Sequence, residues 1–396
     1  MPEIADFALI LLPVAGGLVL AILSSRLSDR LPIPAPGIFL LVAAGAADIW
    51  PQLGSALSIQ AVERIAVVAL VIILLNGGMD IGWRRMWESA GPVLSLGVLG
   101  TFATAALIAV AAHVILGFSW TLAGILGAAL APTDPAVVFS VLGGTKVGAR
   151  AGTILEGEAG VNDPAGIALM IGMIELATHA DASFLVVVQE FAVQMGVGLA
   201  LGIVSARVLL AVTDRVRLAS EELRPVLLIA LAMVLYAVTS LVGGSGFLAV
   251  FVAGLVLGDA RLPATPGVGR FNQSLAGLSE IVVFVALGLT VDLTDLPAAT
   301  WRDGAVLTIL LALLVRPLVV TVTLAGAKVS RRDQVFIAWS GLKGAVPILL
   351  AAFAVLGDVP GAEAIYGVVF VAVLFSVFAQ GSLVPAVART LRPPHD

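Results

Sequence analysis

The sequence predicts an all-α polytopic membrane protein with about thirteen transmembrane helices. Composition is the first ground: 60% of residues are hydrophobic and only 12% charged, which excludes a soluble globular domain. The second is that apolar windows bounded by charge, glycine or proline recur along the whole chain. The third is the abundance of Gly (42) and Pro (20), as expected where helices pack closely and some break within the membrane. With no cysteine, disulfides and thiolate metal sites are excluded. No phosphate-binding loop, Ser/His/Asp set or nucleic-acid patch is visible, and the pattern calls for no cofactor.

In order, the spans fall at about 5–23, 33–49, 61–79, 90–116, 120–142, 151–178, 184–212, 223–242, 246–258, 275–291, 304–327, 333–356 and 363–388. The first has no basic leader and no small-residue cleavage motif, so it reads as a span rather than a removed signal. All are assigned as helix, because an isolated segment in hydrocarbon must satisfy its own backbone hydrogen bonds. The ninth is short. With the first loop in the cytoplasm, 17 of the 21 basic residues lie on the inner side, Arg84, Arg85, Arg207, Arg215, Arg224, Arg331, Arg332 and Arg389 among them. Only Arg64 and Arg302 fall outside, while Arg316 and Lys343 lie within spans. The N-terminus is therefore expected outside and the C-terminus in the cytoplasm.

Thirteen spans with one in the middle read as two six-helix units of opposite orientation, residues 1–178 and 223–396, joined by a linker helix in 179–222. The fifth span of the first unit carries Pro132-Thr133-Asp134-Pro135, and that of the second carries Gly341-Leu342-Lys343-Gly344-Ala345-Val346-Pro347. Paired interruptions of this kind point to a site built from two discontinuous helices. Proline removes a backbone donor and frees a carbonyl, leaving half-helix ends that can hold an ion or a counter-charge.

The sixth span places Glu156, Glu158, Asn162 and Asp163 within eight residues. Each ionised side chain near the centre of a spanning helix costs roughly 2.5–3.5 kcal/mol, so the segment reads as an ion or proton site. Glu158 and Asn162 share a face, and Asp163 is turned about 100° further on. One carboxylate is then expected to hold a permanent basic partner and the other to exchange its ligand. Lys343, the only lysine in a span, is the expected partner of Glu158, with Arg316 beside Pro317 as competitor. Asp163 is the exchanging group: desolvation favours a neutral carboxyl and a bound monovalent cation the ionised form, so proton and cation compete. Thr133 and Asp134 are its expected neighbours. Glu156 either lines an access funnel or lies near the headgroups, and Asn76, beside Gly77 and Gly78, is an accessory candidate. Glu175, Glu190, Glu280 and Gln380 read as packing or interface residues. Asp134 and Asp163 as a proton-sharing dyad would instead suit an intramembrane aspartyl protease, and an uncoupled cation channel is the third reading.

The string Glu156-Gly157-Glu158-Ala159-Gly160-Val161-Asn162-Asp163-Pro164 resembles the Asn-Asp signature of NhaP-type monovalent cation/proton antiporters, the electroneutral branch of the cation:proton antiporters. Thr133-Asp134-Pro135, Gly341 to Pro347, Arg316-Pro317 and Gln380-Gly381 are similar to motifs of the same family, in the same order. The resemblance implies an NhaA-like fold with inverted repeats and two crossed discontinuous helices. It implies a core domain from about 90–178 and 304–391, a dimerisation domain from the remainder, a homodimer in the inner cell membrane among lipids, and elevator-type alternating access. By the same resemblance Asp163 binds Na+ or K+ in competition with H+, Asn162 orients it, Thr133 and Asp134 complete the cation shell, and Glu158 pairs with the base at Lys343. An amide at Asn162 cannot take a second proton, so one cation per proton is expected. Asn76 stands where many relatives have an acid, Ala159 where a serine is common, and Lys343 where arginine is usual. About eight residues follow the last span, where some relatives carry a cytoplasmic regulatory domain.

Overall fold

Helix is the regular structure throughout a computed structural model of the chain, which describes residue 19 and residues 33–54, 57–142, 148–179, 184–215, 223–260 and 268–391. The span predicted at 5–23 lies, but for residue 19, outside the described residues. From there the chain forms α1 (Ala35–Ile49), α2 (Ile59–Ile81), α3 (Ala90–Leu116), α4a (Trp120–Leu130) and α4b (Pro135–Leu142). It continues through α5 (Ala149–Thr178), α6 (Phe184–Arg215), α7 (Arg224–Leu241), α8 (Gly246–Asp259) and α9 (Val268–Gly288). Last come α10 (Ala298–Thr323), α11a (Arg331–Trp339), α11b (Ala345–Leu356) and α12 (Ala362–Thr390).

Among the described residues seven helices are long and apolar enough to cross a membrane, or eight if the bent α4 pair is one span, and α1, α8 and α11b are shorter apolar helices. Two starts differ from expectation because polar first turns belong to the helix although they fall outside the apolar window. α9 already includes Arg270 and Asn272, and α10 begins at Ala298 behind an extended Pro297. Three π-helical turns, 95–99 in α3, 311–315 in α10 and 376–380 in α12, were not legible in the apolar pattern. A π turn carries one extra residue, so it re-aims everything after it.

The helices sort by packing. α2 and α9 pack together with α8 and α1, while α6 and α7 close on α8. α4a packs on α3, α5 and α11b, while α12 packs on α10 and α11b. The two groups meet where α5 touches α2, α6 and α8 and where α11b touches α2 and α9. Side chains such as Val234, Val238 and Leu241 on α7 and Val204 and Val208 on α6 remain exposed, the apolar outer face that hydrocarbon requires.

Small residues set the tightest seam. Gly254 and Gly258 form a small-xxx-small pair on α8, and their Cα atoms lie against the α2 backbone: a Cβ on Gly254 would meet Leu75 O at 2.6 Å, and one on Gly258 would strike Met79 O. Gly78 answers from α2, where a Cβ would meet Leu255 N at 2.9 Å. Lipid tails are as apolar as leucine, so backbone approach of this kind supplies much of the contact energy between helices. Gly254→Val is expected to lower the melting temperature of the detergent-solubilised protein by several degrees, about 1–3 kcal/mol of overpacking. Gly277→Val on α9, whose Cβ would meet nothing within 4 Å, is the control; equal melting of the two variants would contradict the seam.

Candidate ion site

Two helices stop in mid-structure. α4a ends before Pro132 and α4b restarts at Pro135, bent by 41°; α11a ends at Trp339 and α11b restarts at Ala345. The breaks touch, with Asp134 N donating to Leu342 O at 2.8 Å. Each break leaves amides and carbonyls that hydrocarbon cannot satisfy, and the sequence around it supplies their partners. Asp134 Oδ1 accepts from Ala136 N at 2.9 Å, and the amides of Val137 and Ala345 also bond to this carboxylate. One acid thus caps the N-termini of both α4b and α11b, where a negative charge is favoured. Gly344 is needed for it, because any Cβ there would strike the Asp134 side chain.

The opposite ends carry positive or donor groups. Lys343 Nζ donates to Ala131 O at 3.0 Å and Pro132 O at 2.9 Å, closing the C-terminus of α4a. Gln380 Nε2 donates to Trp339 O at 2.6 Å at the end of α11a. Ser376, from the π turn that also contains Gln380, accepts from Lys343 N at 3.0 Å and donates to Gln380 Oε1 at 3.2 Å.

Beside this crossing α5 carries the polar cluster. Glu158 does not pair with Lys343: Arg316 Nη1 and Nη2 donate to its two oxygens at 2.5 and 2.7 Å, with the side chains 1% and 5% exposed. The correction has a physical reason. A planar guanidinium matches both carboxylate oxygens at once, whereas an ammonium suits two separate carbonyls. The π turn at 311–315 and Pro317 set the direction of Arg316. From Glu158 the network runs on to Thr133 and Asn162. Thr133 Oγ1 donates to Glu158 Oε1 at 3.4 Å and accepts from Asn162 Nδ2 at 2.8 Å. Asn162 Oδ1 and Asp163 Oδ1 are both enclosed with no hydrogen-bond donor.

The structure therefore gathers Asp163, Asn162, Thr133, Asp134, Glu158, Arg316 and Lys343 in one place. It leaves Asn76 and Glu156 elsewhere. Asn76 donates to Asp80 at 2.9 Å near the end of α2, and Arg85 bonds the Asp80 carbonyl. Glu156 lies within the fields of Asp80 and Arg85, so both accessory candidates belong to a separate charged group. Sequence reasoning gave Gln380 no role beyond packing or interface and did not single out Ser376; the signal was the Gln380-Gly381 pair, present among the motifs of the resemblance but assigned no function. Chemically, an acid whose charge two helix ends share is not free to split a proton with Asp163, which disfavours the protease dyad. Two enclosed oxygen acceptors without donors fit a small cation or a proton.

Comparison with known proteins agrees with this geometry. Residues 17–390 match the family model described as sodium/hydrogen exchanger, transmembrane. The K+/H+ antiporter NhaP of Alkalimonas amylolytica is 35% identical over 94% of this chain and 65% of its own length. The K+/H+ antiporter NhaP2 of Shewanella sp. (strain ANA-3) is 34% identical over 93% of this chain and 64% of its own. The chain thus spans under two thirds of the length of these relatives. The sodium proton antiporter MjNhaP1 from Methanocaldococcus jannaschii, solved at pH 8, superposes with a TM-score of 0.81 at 22% identity, covering 98% of this chain and 99% of that one.

Removing one member of a buried ion pair strands the other, at about 3–5 kcal/mol, whereas replacing both by apolar residues is often neutral. Arg316→Leu and Glu158→Leu are each expected to lower the yield and melting temperature of the purified protein sharply, and the double variant to recover much of the loss. A double variant no more stable than the worse single would contradict a closed pair.

Proposed function

The chain belongs to the sodium/hydrogen exchanger transmembrane family, and from that premise we propose that it is a secondary antiporter exchanging K+ or Na+ for H+ at Asp163. K+ is the first candidate, because the relatives at 34% and 35% identity are named K+/H+ antiporters. One observation carries the reading: Asp163 Oδ1 and Asn162 Oδ1 are enclosed without donors, beside a Glu158 whose charge Arg316 already balances. A proton or a monovalent cation satisfies the acid, but not both together. In this reading Asn162 and Thr133 supply neutral oxygens, and Asp134 adds its charge from the neighbouring break. Because Asn162 cannot be protonated, one cation exchanges for one proton and the cycle is electroneutral.

The transport motion in this proposal is an elevator. α3, α4, α5, α10, α11 and α12 carry the site past a scaffold of α1, α2 and α6 to α9, and the scaffold also forms the homodimer contact. Two inverted units within thirteen spans, an external N-terminus and a cytoplasmic C-terminus complete the architecture. A cleft of about 470 Å³ between α2 (Gln60, Glu63, Arg64), α5 (Ile171) and the end of α11b (Phe353, Leu356 and the following Gly357) supports the reading. It lies on the boundary where the two groups would slide. Ile171 stands roughly 12 Å along α5 from Asp163.

In proteoliposomes carrying a pH-sensitive dye, wild-type protein is expected to dissipate a preset pH gradient on addition of K+ or Na+, at a rate independent of a clamped membrane potential. Asp163→Asn is expected to abolish this exchange; retained exchange in that variant would refute the assignment, and potential-dependent rates would refute electroneutrality.

A further inference from the structure

Asp163 is not the only acid left open. Among the described residues two carboxylate oxygens are buried without a hydrogen-bond donor, Asp163 Oδ1 and Glu280 Oε1. Glu280 lies on α9, in the helix group that does not carry Asp163, about 18 Å along the helix from Val268 and about 12 Å from Gly288. It is thus far from either end. α9 packs against α2 and against α11b, one half of the broken helix at the crossing. Asn272 and Ser279, buried on the same helix, stand at the i, i+7, i+8 spacing with Glu280 that puts the three on one face. Asn272 Oδ1 is likewise enclosed without a donor, while its amide meets only Met79 Sδ at 3.8 Å. A face with an acid and an amide acceptor both open runs from the Met79 end of α2 toward the crossing. Packing has no use for such a face, since an unpaired buried acceptor costs about 1–3 kcal/mol.

We propose that Glu280 is a second cargo-binding carboxylate, contributed by α9, which takes the monovalent cation at its open oxygen as the ion passes to or from Asp163. The inference rests on the antiport reading and deepens it: the ion is handed between a group on the moving helices and a group on the static ones. A cation lodged at Glu280 satisfies the free Oε1. No covalent step is involved.

The test compares variants in proteoliposomes, with K+ and Na+ titrated against the rate of pH-gradient dissipation. Glu280→Gln keeps the volume and removes the charge; it is expected to raise the cation concentration for half-maximal exchange about tenfold while lowering the maximal rate by less. Glu280→Asp is expected to recover part of the affinity. An unchanged half-maximal concentration in Glu280→Gln overturns the proposal, as a permanently protonated packing residue would behave that way. Should Glu280→Gln not reach the membrane intact, an unchanged half-maximal concentration in Glu280→Asp, whose shorter arm withdraws the charge, overturns it equally. Asp163→Asn is run in parallel: exchange surviving there sinks the antiport site itself, whereas a dead Asp163→Asn beside a wild-type-like Glu280→Gln sinks only the second site.

Discussion

Two helices that end in the middle of a hydrocarbon layer expose backbone groups that lipid cannot solvate, and the rest of this structure follows from how they are satisfied. Asp134 closes two N-termini, and Lys343 closes a C-terminus. The two residues sit next to the breaks they serve and exchange roles across them: an acid from α4 reaches the start of α11b, and a base from the α11 break reaches the end of α4a. Each broken helix is therefore incomplete without the other. That mutual dependence ties the two breaks into one unit, which a site built on two interrupted helices requires.

With the crossing neutralised from within, α5 is free to divide its acids between two jobs. Glu158 is held by both terminal nitrogens of the Arg316 guanidinium, so its charge is already balanced. Thr133 ties that pair to Asn162, which fixes the amide with its nitrogen engaged and its oxygen open. Arg316 is in turn placed by an irregularity, the π turn at 311–315. Similar turns at 95–99 and 376–380 lie in α3 and α12, packed around the same site. Irregular backbone is found where it re-aims a side chain that the site needs.

How much of this the sequence makes visible depends on the range of the forces involved. Helix positions follow from composition, because burial in lipid is a property of each segment alone. The two breaks are legible for the same reason, since Pro132, Pro135 and the glycines at 341 and 344 act locally. Polar residues in α5 stand out as too costly to be idle. Partner choice is different. Lys343 and Arg316 are both lone bases in apolar spans, and only their orientation, set by a π turn and by the crossing, gives Glu158 to Arg316. The same limit hid Gln380, whose donor role depends on where the carbonyl of Trp339 lies in space. Asn76 is a candidate because of the glycines beside it, yet its amide donates to Asp80, and Glu156 on α5 lies in the fields of Asp80 and Arg85.

Formal charge at the crossing constrains what can be carried. Glu158 pairs with Arg316, and Asp134 and Lys343 both lie at the breaks, so these four formal charges sum to zero and leave the single negative charge of Asp163. Moving an uncompensated charge through a low-dielectric boundary is opposed by several kcal/mol even after relaxation. On the proposed reading the helix group that bears the site is neutral with either one proton or one monovalent cation bound. It is charged when empty or when a divalent ion binds. The loaded forms therefore cross readily and the empty form does not, which is the condition for obligatory exchange rather than leak. An acid at Asn162 would add a second negative charge and require a second positive one, so the amide at this position sets the count at one.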